Sequence, residues 1–342
     1  MPYHFRNLVF EGGGVKGMAY VGAMQVLQEK GILSEIKRVG GTSAGAINAT
    51  LFALGYTPTQ QRAIIKDMNF NNFLDDSWGL VRDSQRLVEK FGWYKGSFFH
   101  EWIGEHIKKR LGDANATFSD LKEAGNTDLY VYGTNLSTRF GEVFSHEHSP
   151  NMRIADAVRI SMSIPLFFAA VKNAREDVYV DGGVLNNYPV KLFDREKYIE
   201  PENIDRMAIR TSYYHQENKR YLRLRPNGSP YVYNCETLGF RLDTKEEVAM
   251  FRYGAEPVHN KIEDFFDYVV ALVGTILDSQ NNTHLHSDDW QRTIYIDTLG
   301  VGSTQFDVPD TMKKKLETSG CTCSEDYFKW YDKKSNDPIN RR

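Results

Sequence analysis

The residues in this chain best suited to chemistry lie in three short glycine-rich stretches. One of them, Gly41-Thr42-Ser43-Ala44-Gly45, has the form G-x-S-x-G. The preceding residues, Ile36 to Gly40, read as a short strand. Ala44 to Leu54 read as a helix closed by Gly55. A serine at such a junction has the make-up of a nucleophile elbow, a turn so tight that the neighbouring side chains are nearly absent. The N–H groups that open the following helix favour negative charge at that place. Gly, Ser, Thr and Ala are also ordinary turn residues, so the pentapeptide acquires meaning only from partners elsewhere.

A serine hydroxyl needs a base, and acyl transfer at it needs donors for an oxyanion. Gly12-Gly13-Gly14 follows the apolar run Asn7 to Phe10 and can turn backbone N–H groups toward a ligand. Gly12-x-Gly14-x-x-Gly17 also matches a dinucleotide fingerprint. That reading wants an acidic residue at the end of the second strand, where Gly40-Gly41 stands instead. No Lys-Ser/Thr pair closes the run, so a Walker loop fails too. For the base, Asp181 leaves the strand Val178-Tyr179-Val180 and is followed by Gly182-Gly183. Its carboxylate could take the serine proton directly, although Asp-Gly-Gly is equally the composition of a plain turn. His146 and His148 are the best histidine alternatives, since they follow the strand around Glu142 to Phe144.

The elements that must position these residues form an alternating pattern. Strand Asn7–Phe10, a helix from Met18 ended by Gly31, the strand before Ser43 and the helix after it begin a layered α/β fold. Thr57-Pro58-Thr59-Gln60 and Thr117 are helix N-terminal signals. Ser97 to Leu111 reads as a helix ended by Gly112. Ser149-Pro150 begins another, ending at Ser163-Ile164-Pro165. Asp128–Gly133, Arg206–Ile209 and Thr293–Ile296 read as strands, Pro257–Gln280 as a long helix, and Pro309–Leu316 as a helix ended near Gly320. Asn69 to Gly96 breaks the pattern with Phe70, Trp78, Phe91, Trp93 and Tyr94, either as a satellite core or as an interfacial cover of the site.

The composition narrows the field. The chain has 342 residues and net charge −3, from 42 basic and 45 acidic side chains, which argues against binding nucleic acid through phosphates. Lys108-Lys109-Arg110 and Lys313-Lys314-Lys315 read as solvated helix faces. Three cysteines, Cys235, Cys321 and Cys323, are no disulfide framework and no zinc knuckle. The N-terminus has no apolar signal region, and Tyr268 to Leu277 is too short to span a bilayer. The expectation is a cytoplasmic protein, or one exported without a cleaved signal peptide, with at most peripheral membrane contact.

Taken in order, Gly12 to Gly17, Gly41 to Gly45, Ser161-Met162-Ser163-Ile164-Pro165 and Asp181-Gly182-Gly183 resemble the patatin-like phospholipase family. Tyr295-Ile296-Asp297-Thr298 and Phe306 resemble the tail of its bacterial members. The resemblance implies a three-layer α/β/α sandwich with a mainly parallel central sheet. It implies lipid acyl hydrolysis by a Ser–Asp dyad, with neither metal nor cofactor. Carried over by position, Ser43 is the nucleophile and Asp181 the base. Gly12, Gly13 and Gly14 supply the oxyanion hole, and Lys16 braces that loop. Gly17, Gly41, Gly45, Gly182 and Gly183 complete the motifs. The expected division is a catalytic domain over 1–320 and a C-terminal extension over 321–342. The expected substrate is a glycerophospholipid or other lipid ester at a peripheral membrane surface, with any protein activator unknown. A general carboxylesterase or thioesterase of the same fold, and a non-hydrolytic lipid- or protein-binding module, stand as alternatives.

Overall fold

The computed structural model describes residues 3–68, 91–244, 261–263, 265–279, 288–303, 305 and 307–341. Most of the aromatic stretch from Asn69 onward, the first part of the Pro257–Gln280 segment, and Phe306 lie outside the described residues.

The apolar run of β1 (Asn7–Phe10) is wholly buried, as a central strand requires. A 3₁₀ turn, Gly14–Met18, leads into α1 (Ala19–Glu29). β2 (Arg38–Thr42) and α2 (Ala44–Ala53) are separated by Ser43 alone. α3 (Pro58–Asp67) starts at a capping box between Thr57 and Gln60. Then come β3 (Gly92–Tyr94), α4 (Ser97–Leu111), α5 (Phe118–Glu123), β4 (Asp128–Asn135) and β5 (Phe140–Ser145). α6 (Ile154–Ser161), β6 (Leu166–Phe168), β7 (Val171–Lys172), β8 (Val178–Asp181) and α7 (Gly183–Asn186) follow. The later part adds α8 (Ile204–Met207), β9 (Ala208–Ile209), α9 (His215–Leu224), β10 (Tyr233–Asn234) and β11 (Thr237–Asp243). It closes with α10 (Phe265–Ser279), β12 (Thr293–Asp297) and α11 (Asp310–Asp332).

The main sheet has the order β12-β11-β1-β2-β4-β8-β7, with β5 also paired to β4. Its first five strands run parallel, while β5, β8 and β7 join antiparallel. Side chains alternate across it. Leu8 and Phe10 enter the main core under the helices. Val9 faces the other way, into a smaller core with Tyr130, Phe193 and Tyr198. Short 3₁₀ turns, Val190–Phe193 and Glu196–Tyr198, cover that face. The expected layered α/β sandwich is therefore present. Among the described residues no helix is long and apolar enough to cross a membrane.

Several local expectations need correction. β2 begins later than Ile36 and runs through Gly41 and Thr42, so the strand itself carries the first half of the elbow motif. The helix expected from Ser149 starts at Ile154. Arg206 and Met207 end a short helix, and only Ala208–Ile209 is strand. Gly92–Tyr94 is a strand paired with Leu166–Phe168, not irregular chain. Gly320 does not end a helix. α11 runs straight through it to Asp332 and packs Phe328 and Tyr331 against Phe5. Gly320 is there because α1 and α11 cross at contact distance. A Cβ at Gly320 would overlap the Ala19 carbonyl oxygen, and one at Gly22 would overlap that of Glu317.

In a solvated helix, Gly→Ala adds up to about 1 kcal/mol of stability. Gly320→Ala is expected to do the reverse, lowering stability by about 1–3 kcal/mol through overpacking. A urea unfolding midpoint that falls at unchanged slope would confirm it.

Candidate active site

The site begins where two strands stop. Thr42, the last residue of β2, pairs with Tyr132 of β4. Asp181, the last residue of β8, pairs with the next residue, Gly133. β8 approaches from the opposite direction, so the two strand ends meet, and Ser43 and Asp181 are brought together.

Ser43 has φ 53° and ψ −126°, a conformation that L-residues rarely adopt. Glycine on either side makes the turn possible. A Cβ on Gly45 would run into the carbonyl oxygens of Phe10 and Glu11, and one on Gly41 would lie 2.5 Å from the Gly45 carbonyl carbon. The turn is then tied down from α6. The Ser43 N–H donates to Ser161 Oγ at 2.9 Å, and that hydroxyl donates to the Tyr132 carbonyl at 2.7 Å. The Ser43 hydroxyl itself points to Met162 Sδ at 3.7 Å.

Asp181 is 3% exposed. Its N–H donates to the Ser163 carbonyl at 2.8 Å, and its Oδ1 accepts the Gly183 N–H at 2.8 Å. Its Oδ2 is buried with no hydrogen-bond partner among the described residues. Burial pushes the Asp181 carboxyl up to about 7, against the Gly183 N–H and the nearby Ser43 hydroxyl, which both favour the carboxylate. Gly182 is required here because a Cβ would overlap the Tyr132 carbonyl.

The glycine loop stands against the elbow. A Cβ on Gly12 would be 3.0 Å from Ser43 Cβ and would overlap Asn187 Oδ1. Asn187 brackets Gly12 from both sides. Its carbonyl accepts the Gly12 N–H at 3.0 Å, and its Nδ2 donates to the Gly12 carbonyl at 3.2 Å. Gly14 has φ +54°. Among the described residues the N–H groups of Gly12, Val15 and Lys16 each meet a backbone carbonyl, and those of Gly13 and Gly14 meet none. Lys16 Nζ reaches the Leu242 carbonyl at 3.4 Å. Gly17 lets α2 approach, its missing Cβ lying 3.1 Å from Ala44 Cβ. The glycine loop, the elbow and Asp181 with Gly182 thus gather around Ser43. The two histidine alternatives do not. His148 is hydrogen-bonded to Ser145, which pairs with Tyr130, in the other half of β4.

Several supporting residues carried no sequence signal strong enough to single them out. Ser161, Met162 and Ser163 were visible as a motif, but their separate contacts to Ser43 and Asp181 were not. Arg159 is buried and holds this motif from behind, donating to Ser163 Oγ at 2.5 Å and to the Lys95 and Ala169 carbonyls at 2.6 and 3.0 Å. Glu11, also buried, accepts the Leu242 N–H at 2.7 Å and the Asn187 amide at 3.4 Å. Among the described residues no group of three or more His, Cys, Asp or Glu could hold a metal ion. An apolar slot opens beside Ser43, lined by Met18, Ile47, Ile65, Met68, Met162 and Phe168. A separate groove at Val21, Gln25, Pro58 and Arg62 shares no residue with it.

The family model described as patatin-like phospholipase matches residues 8–194. The protein YqhO of Bacillus subtilis is 30% identical over 319 residues, which cover 90% of this chain and 92% of YqhO. A protein of Invertebrate iridescent virus 6, named probable lipid hydrolase 463L, is 27% identical over 56% of this chain and 64% of its own. Among solved structures, VipD from Legionella pneumophila matches with a TM-score of 0.56 at 18% identity, over 95% of this chain and 67% of VipD.

Ser161→Ala removes an acceptor from the Ser43 N–H and a donor from the Tyr132 carbonyl, both buried. The expected loss is about 1–3 kcal/mol, read by denaturant unfolding. Ser161→Thr, which keeps the hydroxyl, should recover part of it.

Proposed function

The chain belongs to the patatin-like phospholipase family, and from that membership we propose that it is a lipid acyl hydrolase cleaving fatty-acyl esters of glycerophospholipids through Ser43 and Asp181. The observation that carries this reading is Asp181 Oδ2, a buried carboxylate oxygen with no partner among the described residues, beside a serine on a strained turn. Rotation of the Ser43 hydroxyl from Met162 toward Oδ2 makes the acid–base contact that the reaction needs. Asp181 then accepts the proton as Ser43 Oγ attacks the ester carbonyl. The oxyanion rests on the N–H groups of Gly13 and Gly14, with the Gly12 carbonyl and N–H occupied by Asn187. Asp181 returns its proton to the departing lysophospholipid oxygen. It next deprotonates a water that cleaves acyl-Ser43, which releases the fatty acid and restores the serine. The side chains lining the slot beside Ser43 are apolar, as an acyl chain requires, but its volume of about 20 Å³ would have to widen to admit one.

Mass spectrometry of products from a defined mixed-chain phospholipid tests the reading. A free fatty acid and its lysophospholipid are expected, and both should be absent with Ser43→Ala. Asp181→Asn should lower kcat by a factor of about 10³ or more. Wild-type hydrolysis by either variant would sink the assignment.

The pH dependence follows from the raised carboxyl. A base is useful only when ionised, so kcat/KM should rise with pH through about 7 and level off above it. Stability should move the other way. The folded state holds the Asp181 proton more tightly than the unfolded chain, so stability from this group is lost as pH rises from about 4 to about 7. Asp181→Asn should therefore be more stable than wild type at pH 8, by something on the order of 4 kcal/mol, with little difference near pH 4. Thermal melts at the two pH values would decide it.

A further inference from the structure

A backbone N–H shares a planar trans peptide with the carbonyl of the preceding residue, and the two point in opposite directions. Whatever grips the carbonyl therefore aims the N–H. For the Gly14 N–H the grip is local, since the Gly13 carbonyl accepts the Lys16 N–H at 3.1 Å where the 3₁₀ turn begins. For the Gly13 N–H it comes from a distant part of the chain. The Gly12 carbonyl accepts Asn187 Nδ2 at 3.2 Å. The peptide between Gly12 and Gly13 is flanked by two residues without Cβ, so little else opposes its turning over. Turned over, it would present a carbonyl oxygen where the oxyanion needs a donor.

Asn187 is suited to this task. It is buried, and its Nδ2 also lies 3.4 Å from Glu11 Oε1. The amide nitrogen thus stands between two acceptors, which assigns the donor end of the amide to Gly12. The Asn187 carbonyl separately accepts the Gly12 N–H at 3.0 Å, so loss of the side chain releases the Gly12 carbonyl and leaves the Gly12 N–H held. The same short stretch of chain holds the other parts of the site. The Gly183 N–H donates to Asp181 Oδ1 at 2.8 Å, and the Asn186 carbonyl accepts Thr42 Oγ1 at 3.0 Å, next to Ser43.

We propose that Asn187 is a positioning residue that aims the Gly13 N–H at the oxyanion by holding the carbonyl of the same peptide. This rests on the reading of the site as a lipid acyl hydrolase. The test uses the full chain and a phospholipid dispersed in detergent micelles. Asn187→Ala should lower kcat by about 10- to 100-fold and leave KM within about twofold, the sign of an interaction made only in the transition state. Affinity for an alkyl trifluoromethyl ketone, whose adduct with Ser43 puts an oxyanion in the hole, should fall in step with kcat. Affinity for the ether analogue of the substrate, which forms no adduct, should hold. Crystals of the variant should show the Gly12–Gly13 peptide turned over or in mixed orientation. Asn187→Leu, which keeps the size of the side chain without its donor, should behave alike, and it serves if the alanine variant does not fold.

A kcat within about twofold of wild type in these variants would overturn the proposal. So would a fall in kcat matched by a fall in affinity for the ether lipid, which is general damage to the site. A Gly13 N–H that keeps its direction in the variant crystals would overturn it too. A wild-type protein that yields no lipid products and takes no fluorophosphonate label on Ser43 would instead remove the hydrolase reading, and the crystals would still decide what aims the peptide.

Discussion

Tyr132 and Gly133, consecutive residues of β4, receive the ends of two strands that run in opposite directions. The site depends on this register. Moving β8 by one residue along β4 would turn Asp181 to the other face of the sheet, because side chains alternate with period two. β4 meets the demand by its length. Its first half pairs with β2, its last three residues pair with β8, and β5 runs along its other side. The elbow at Ser43 then costs on the order of 1–3 kcal/mol in backbone strain. Ser161 offsets part of that by closing the loop between the Ser43 N–H and the very strand that fixes the register.

Asp181 shows what kind of environment this produces. Its carboxyl is raised by burial, and no cation is among the causes that act on it. Arg159 lies on the far side of Ser163 and acts as a mechanical clamp, its three hydrogen bonds spanning α6, the chain after β3 and the chain after β6. The stronger ion pairs are kept elsewhere. Arg292 is buried between Asp194 and Asp289, and Arg241 beside Asp243. Charge compensation thus stabilises the scaffold, while the carboxylate at the site is left with weak compensation. For Asp181 in the proposed role of base, an elevated pKa matches proton abstraction near neutral pH.

Much of this was legible in the residues. Gly41 and Gly45 around Ser43, Gly14 in the triple glycine after β1 and Gly182 after β8 mark places where a backbone passes too close for a Cβ. Helix caps at Thr57 and Thr117 were readable because their hydrogen bonds are local. What was not legible depends on partners distant in sequence. β11 was missed because Arg241 and Asp243 break its apolar pattern, and only their mutual pairing and Glu11 make a buried strand of it. Gly320 was misread as a stop because its reason lies on α1. Asn187 carries no motif at all, yet it holds Gly12 on both sides.

The antiparallel entry of β8 has a consequence for the order in which the molecule comes into being. β1, β2 and β4 precede the rest of the main sheet's parallel strands in the chain, so the serine turn emerges early in synthesis. Its N–H anchor at Ser161, its carboxylate at Asp181 and the Asn187 clamp on Gly12 come later, and β11, which holds the other side of β1, later still. A chain made only as far as β4 holds Ser43 without its Ser161 anchor, without Asp181 beside it and without the Asn187 clamp on Gly12. The proposed nucleophile and base therefore come together only once β8 has been made and has joined β4.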